Sequence, residues 1–263
     1  MRVATAMLPE AASSQDRILV TNTAVIVLDG ASAFVPVDVP TSTYVDTFGN
    51  SLIDGLAAKP QIPLADLVAQ SIKETSSALD LHPDAAPSST VAIARHDDEG
   101  LDLFVLGDSQ IATPHGVYVD TRIDGVAQEE RARYRARLAQ GYGFDETHRE
   151  LLRALQAEQA RHRNADDGFW IAEAAPNAAR HGLEVRMSLD TTPWLVLATD
   201  GAYRPMRHLS LDVWANVAKL SGVELASLMR DLDTWEDCED PDGLTLPRAK
   251  RHDDKALAVI RYG

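Results

Sequence analysis

The sequence predicts an α+β protein with largely antiparallel sheets, and three observations carry that prediction. β-Branched runs fall in hairpin-like groups, helical periodicity occupies blocks of its own, and strands do not alternate strictly with helices as a parallel sheet requires. Residues 17–20 and 24–28 are β-branched runs split by the turn-prone Thr21-Asn22-Thr23, which predicts an antiparallel hairpin. From residue 49 to 81 the pattern turns helical, with Leu64, Leu67, Val68, Ile72 and Leu79 at helical spacing; Pro60 and Pro63 precede that repeat, where proline is tolerated. Strands are predicted at 90–95 and 101–106, joined by the polar turn 96–100, with a short strand through Ile111 and a turn at His115-Gly116. Residues 126–163 are rich in Ala, Glu, Gln, Leu and Arg and read as almost wholly helical. Strands return at 183–189 and 194–198, helices at 211–220 and 224–232, and a last strand at 256–261.

Composition narrows the function classes. The 263 residues allow one large domain or two small ones; no internal repeat or low-complexity linker is present, and the expectation is a single domain over 1–263. A net charge of −15 supplies no global field to attract nucleic acid or an anionic membrane, so neither partner is expected. The single cysteine, Cys238, permits no intrachain disulfide and no cysteine zinc cluster, and reads as a bystander in an acidic loop. The apolar run in residues 1–12 is too brief for a signal-peptide core, and no stretch approaches the roughly 18 apolar residues of a membrane span. A cytoplasmic protein is expected. Neither a dinucleotide-binding nor a P-loop glycine pattern is present.

The chemistry-bearing pattern is a series of strands that end in aspartate. Residues 25–28 run into Asp29-Gly30, 104–107 into Asp108-Ser109, and 195–199 into Asp200-Gly201; Asp253-Asp254 leads into the last strand, and Asp16 opens the first hairpin. Aspartate is disfavoured within strands, and burying it unpaired costs several kcal/mol. Hard divalent cations take carboxylate oxygens, and a short side chain on a rigid strand places one accurately. Glycine after Asp29 and after Asp200 would leave room for a carbonyl or water to approach an ion. Any single Asp-Gly reads more simply as a turn. The series carries the argument.

The ordered set Ser14-Gln15-Asp16-Arg17, Leu28-Asp29-Gly30, Ser88-Ser89-Thr90, Gly107-Asp108-Ser109, Thr199-Asp200-Gly201 and Asp253-Asp254-Lys255 resembles the type 2C (metal-dependent, PPM) protein serine/threonine phosphatase family over essentially the whole chain. The resemblance implies a four-layer α-β-β-α sandwich with metals at one end. It implies hydrolysis of phosphoserine and phosphothreonine in proteins by a water activated by two Mn2+ or Mg2+ ions. By position, Asp29 would bridge the two metals and the Gly30 carbonyl would bind one of them. Asp200 and Asp253 would complete the other shell, and Asp16 would act through metal-bound water. Asp108, with Asp200 shared, matches a residue that helps hold a third, weaker ion in some relatives. A phosphoprotein substrate and a monomer are expected.

The chain also departs from that pattern. Ala11 stands three residues before the Ser14-Gln15-Asp16 tripeptide, where many relatives carry a phosphate-gripping arginine. Ala31, Ser32 and Ala33 replace the usual residues after Asp29-Gly30, and Arg204 occupies the place where some relatives add a metal-binding aspartate. Arg17 adjoins Asp16 but alternates to another face of an extended segment. Residues 122–163 hold 9 of the 20 arginines, Arg131, Arg133, Arg135 and Arg137 among them, within a helical, flap-like insertion expected at about 122–170. These residues either help cover the metal site and select substrates or form a solvated face paired to Glu129, Glu130 and Asp145. The acidic run 231–242 lacks the ligand alternation of a calcium loop and is expected as a solvated loop, with His252 an exposed neighbour of Asp253. The departures keep an alternative open: a weak or inactive phosphatase-like protein acting as a metal- or phosphoprotein-binding regulatory scaffold.

Overall fold

A computed structural model describes residues 1–34, 37–83, 86–98 and 100–262. Two five-stranded antiparallel sheets lie face to face with helices outside both, so the chain is an α-β-β-α sandwich. In one sheet the order is β2 (Arg17–Val20), β3 (Ala24–Gly30), β4 (Ser89–His96), β5 (Leu101–Leu106) and β8 (Leu183–Met187). In the other it is β1 (Arg2–Leu8), β10 (Lys255–Arg261), β9 (Trp194–Ala198), β6 (Gln110–Thr113) and β7 (Gly116–Val119).

The central strands read as continuous apolar runs because both of their faces are covered. Along β3, Val25 and Val27 enter the core between the sheets, while Ala24, Ile26 and Leu28 face the helices. The same period of two divides β10, with Ala256, Ala258 and Ile260 between the sheets and Leu257 and Val259 outward. Helices α1 (Thr41–Ala58) and α2 (Leu64–Leu79) cover the first sheet through Tyr44, Phe48, Leu52, Leu67 and Ile72. Helices α5 (Asp200–His208) and α7 (Gly222–Cys238) cover the second through Ala202, Met206, Leu225 and Leu232. Among the described residues no helix is long and apolar enough to cross a membrane.

Several elements differ from the sequence expectation. The block at 49–81 is two helices, since the segment from Lys59 to Pro63 interrupts the ladder and Pro63 sits at the entry of α2. The block at 126–163 is α3 (Gln128–Leu138) and α4 (Glu146–Arg161), separated by a turn with Gly141 and Gly143 at positive φ. Asp145 caps α4 by accepting from the His148 N–H at 2.9 Å. Of the helix expected at 211–220, only the turn α6 (Trp214–Val217) forms. Strand β1 was legible only as a short apolar run; its partner, β10, lies at the far end of the chain. The polar turn 96–100 closes through the Gly100 N–H donating to Asp97 at 2.8 Å, while Glu99 lies outside the described residues.

The acidic run 231–242 needs a larger correction, because it is not a solvated loop. Its first part continues α7 to Cys238, and Glu236 and Asp240 are each only 1% exposed. Both are buried because each has a cation: Lys255 Nζ lies 2.7 Å from Glu236 and Arg248 Nη1 2.7 Å from Asp240. Cys238 is exposed at the helix end.

Candidate metal centre

The strand ends deliver the aspartates to one rim of the two sheets. Asp29 closes β3, in register with Thr90 on β4, and Asp108 follows β5. Asp200 is the first residue of α5, with only Thr199 between it and the end of β9, and Asp253 precedes β10. A carboxylate at the start of a helix is electrostatically favourable. Asp29, Gly30, Asp108, Asp200 and Asp253 all line one cavity of about 470 Å3. Asp16 lies beyond that wall, 1% exposed.

Each of the two glycines admits a close neighbour. A Cβ on Gly30 would stand 2.6 Å from the Gln15 carbonyl and 2.7 Å from Thr41 Cγ2, and one on Gly201 would stand 2.0 Å from the Asp254 carbonyl. The space beside each glycine is therefore filled by neighbouring backbone. Gly30 lets the 14–16 segment close on the end of β3, and Gly201 lets 253–254 close on the start of α5. These approaches bring Asp16 towards Asp29, and Asp253 towards Asp200.

Hydrogen bonds hold the approach in place. Asp254 Oδ2 accepts from the Gln15 N–H at 2.5 Å and from the Ser14 hydroxyl at 3.1 Å. The Thr199 hydroxyl donates to Asp16 Oδ2 at 2.8 Å and accepts from the Ala256 N–H at 2.9 Å. Arg17 does turn to another face. It pairs with Asp46 at 2.6 Å and donates to the carbonyls of Ser14 and Asp16, bracing the segment from behind.

The electrostatics divide the aspartates into two groups. Burial pushes the Asp29 carboxyl well above its ordinary range, and the charges of Asp16, Asp200, Asp253 and Asp108 add to the rise. Burial likewise raises Asp16; the Thr199 hydrogen bond opposes the shift, while Asp253, Asp254 and Asp200 reinforce it. Among the described residues no ion pair reaches either one. Cations of the chain hold the rest: Arg204 lies 3.0 Å from Asp108 and 3.2 Å from Asp200, and Lys250 Nζ lies 2.7 Å from Asp253. Asp108 is still pushed up to about 6, by burial and then by Asp200, against the pull of Arg204. At Asp253, burial is outweighed by Lys250, Lys255 and the Asp254 N–H, which hold the carboxyl below its ordinary value.

A second acidic group was not foreseen. The ligand atoms of Asp233, Glu236 and His252 lie within 4.8 Å of one another, the one such group of three among the described residues, and by distance they could hold one ion. His252 is thus engaged with Asp233, at 2.9 Å, rather than merely neighbouring Asp253. The Lys255 ammonium already lies 2.7 Å from Glu236 and 3.9 Å from Asp233, and it also donates to the Asp253 carbonyl at 2.9 Å. Lys255 thereby links α7 to the segment that carries Asp253. The Asp253-Asp254-Lys255 sequence contained it, but only the packing of α7 shows its partner. Lys250 had no sequence signal, since it lies in an irregular loop.

No protein-family model matches the chain, and no curated protein sequence matches it. Solved structures do. The PPM Ser-Thr phosphatase MsPP from Mycobacterium smegmatis, solved with cacodylate, is 17% identical with a TM-score of 0.53, over 100% of this chain and 99% of that one. The S. agalactiae serine/threonine phosphatase is 16% identical with a TM-score of 0.56, over 100% and 99%. The photosystem II phosphatase PBCP is 12% identical with a TM-score of 0.59, over 100% and 98%. At these identities the likeness is one of fold, and this chain carries the α-β-β-α sandwich found in PPM-type serine/threonine phosphatases.

Proposed function

We propose that this chain is a metal-dependent phosphomonoesterase acting on phosphoserine and phosphothreonine in proteins. The observation that carries the reading is the state of Asp29 and Asp16, two desolvated carboxylates that no ion pair reaches among the described residues, beside a cavity that three further aspartates line. Excess negative charge on a site made only of oxygen donors fits a hard divalent cation such as Mg2+ or Mn2+. Such ions keep much of their water shell, so the carboxylates need not crowd as tightly as in a dry site.

Asp29 with the Gly30 carbonyl, and Asp200 with Asp253, are the groups that would hold two ions, with Asp16 behind them. When bound, the ions supply a water acidic enough to act near neutral pH and offset charge on the phosphoryl oxygens. The chain's own contribution is positional. Thr199 and Asp254 fix the 14–16 and 253–256 segments to each other, and Lys255 anchors the second to α7. The helices α3 and α4 contribute Tyr134, Leu152 and Leu155 to the far wall, an apolar surface that limits water in the cavity.

Arg204 and Lys250 favour a second reading, because they already offset Asp108, Asp200 and Asp253. A protein so balanced could serve as a regulatory scaffold that binds a phosphoprotein without turning it over. Hydrolysis of an aryl phosphate with added Mn2+, compared with Asp29→Asn, Asp200→Asn and EDTA-treated samples, separates the two. The enzyme reading expects Mn2+-dependent turnover that each treatment abolishes. Absence of turnover by the folded wild type with every divalent metal leaves the scaffold.

A further inference from the structure

A site for phosphate ester hydrolysis needs a group for the nonreacting phosphoryl oxygens, and Ala11 cannot be that group. The cavity is lined by several cations, and nearly all are committed. Arg163 pairs with Glu173 at 2.9 Å, Arg204 with Asp108 and Asp200, Arg207 with Asp212 at 3.7 Å, Arg248 with Asp240 and Lys250 with Asp253. Arg131 and Arg135 remain, one helical turn apart on α3.

The two differ in setting. Arg135 is exposed and lies 6.0 Å from the centre of the Tyr134 ring. Arg131 is only 9% exposed, and among the described residues no carboxylate lies within ion-pair distance of it. Its Nη2 donates to the Ile123 carbonyl at 3.1 Å, and its buried Nε has no hydrogen-bond partner. Leaving a guanidinium desolvated and unpaired is costly, and the group is always charged. A planar fork of donors on the wall of the aspartate-lined cavity suits a phosphoryl group, which it can grip with two parallel hydrogen bonds. We infer that Arg131 is the phosphate-holding residue of this cavity, with Arg135 strengthening the local positive field. This inference rests on the proposed function for the identity of the anion. It places the grip on the α3–α4 insertion and not in the segment before Asp16.

Inorganic phosphate is the probe, titrated calorimetrically into the full chain in Mn2+ buffer, alongside the KM for an aryl phosphate. Arg131→Met should weaken phosphate binding and raise KM by about 10- to 100-fold with a smaller change in kcat. Arg131→Lys, which keeps the charge but loses the fork, should fall between. Arg133→Met is the control, because Arg133 is exposed and paired with Glu129; it should leave both constants alone. Folded Arg131→Met and Arg131→Lys proteins that bind phosphate like the wild type would overturn the inference even if hydrolysis is robust. A wild type that binds phosphate through Arg131 but shows no turnover would sink the enzymatic reading and leave this one standing. If Arg131→Met does not fold, the Arg131→Lys and Arg131→Gln constants decide.

Discussion

The Thr199 hydroxyl donates a 2.8 Å hydrogen bond to Asp16, a residue 183 positions earlier, while accepting another from the Ala256 N–H at 2.9 Å. One side chain thus joins the segment before β2, the end of β9 and the start of β10. Thr199→Val keeps the shape and leaves a buried carboxylate and a buried N–H without this partner. We expect a loss of about 2–4 kcal/mol in denaturant unfolding of the metal-free protein, from two stranded polar groups. A loss below about 0.5 kcal/mol would show that the bond does not organise the rim.

Gly201→Ala tests how closely the rim is packed. The added Cβ would meet the Asp254 carbonyl at 2.0 Å, and this neighbour is backbone, which cannot swing aside. A destabilisation of about 1–3 kcal/mol is expected, together with weaker Mn2+ binding as 253–254 is pushed off α5. A variant with unchanged melting temperature and unchanged Mn2+ affinity by calorimetry would contradict the packing argument.

The raised carboxyls set the pH dependence of the metal-free protein. Asp108 titrates at about 6 in the fold, against an ordinary value of 3.8, so between those values the folded state holds a proton that the unfolded chain has released. Stability from this group is therefore present below its unfolded value and lost as pH rises through about 6, and the raised Asp16 and Asp29 act in the same direction. Metal-free wild type should lose stability from about pH 4 to pH 6 through Asp108, Asp108→Asn should lose less over that range, and Mn2+ should offset the loss. Equal slopes for the two proteins in urea titrations would reject the assignment.

Arg204 stands between Asp108 and Asp200 as a cation that EDTA cannot remove. Replacing it with methionine frees both carboxylates. Equilibrium dialysis should then find about one more Mn2+ per chain than in the wild type, and the metal-free variant should be less stable through repulsion between the two aspartates. An unchanged Mn2+ stoichiometry would mean that Arg204 does not close that position.

Much of the sandwich was legible because period and polarity are local properties. Strands β5 and β9 fall where their apolar runs put them, and the β2–β3 hairpin follows from its polar turn. The aspartates were legible too, since a carboxylate at the end of an apolar strand is conspicuous. Strand β1 was not, because its alternation is weak and its partner β10 is at the other end of the chain. The run 231–242 misled because charge suggests solvent, whereas Glu236 and Asp240 are buried with Lys255 and Arg248.

By itself, then, the sequence determined the antiparallel α+β plan, its apolar faces and the set of aspartates at the strand ends. Tertiary structure alone decided which charges meet. Among the described residues it left Asp29 and Asp16 outside any ion pair, gave Arg204 to Asp108 and Asp200, and buried Arg131 in the same cavity wall with no carboxylate at ion-pair distance. Hydrophobic periodicity acts between neighbours in the chain, but an ion pair depends on distance in space, and only the closed fold sets that distance.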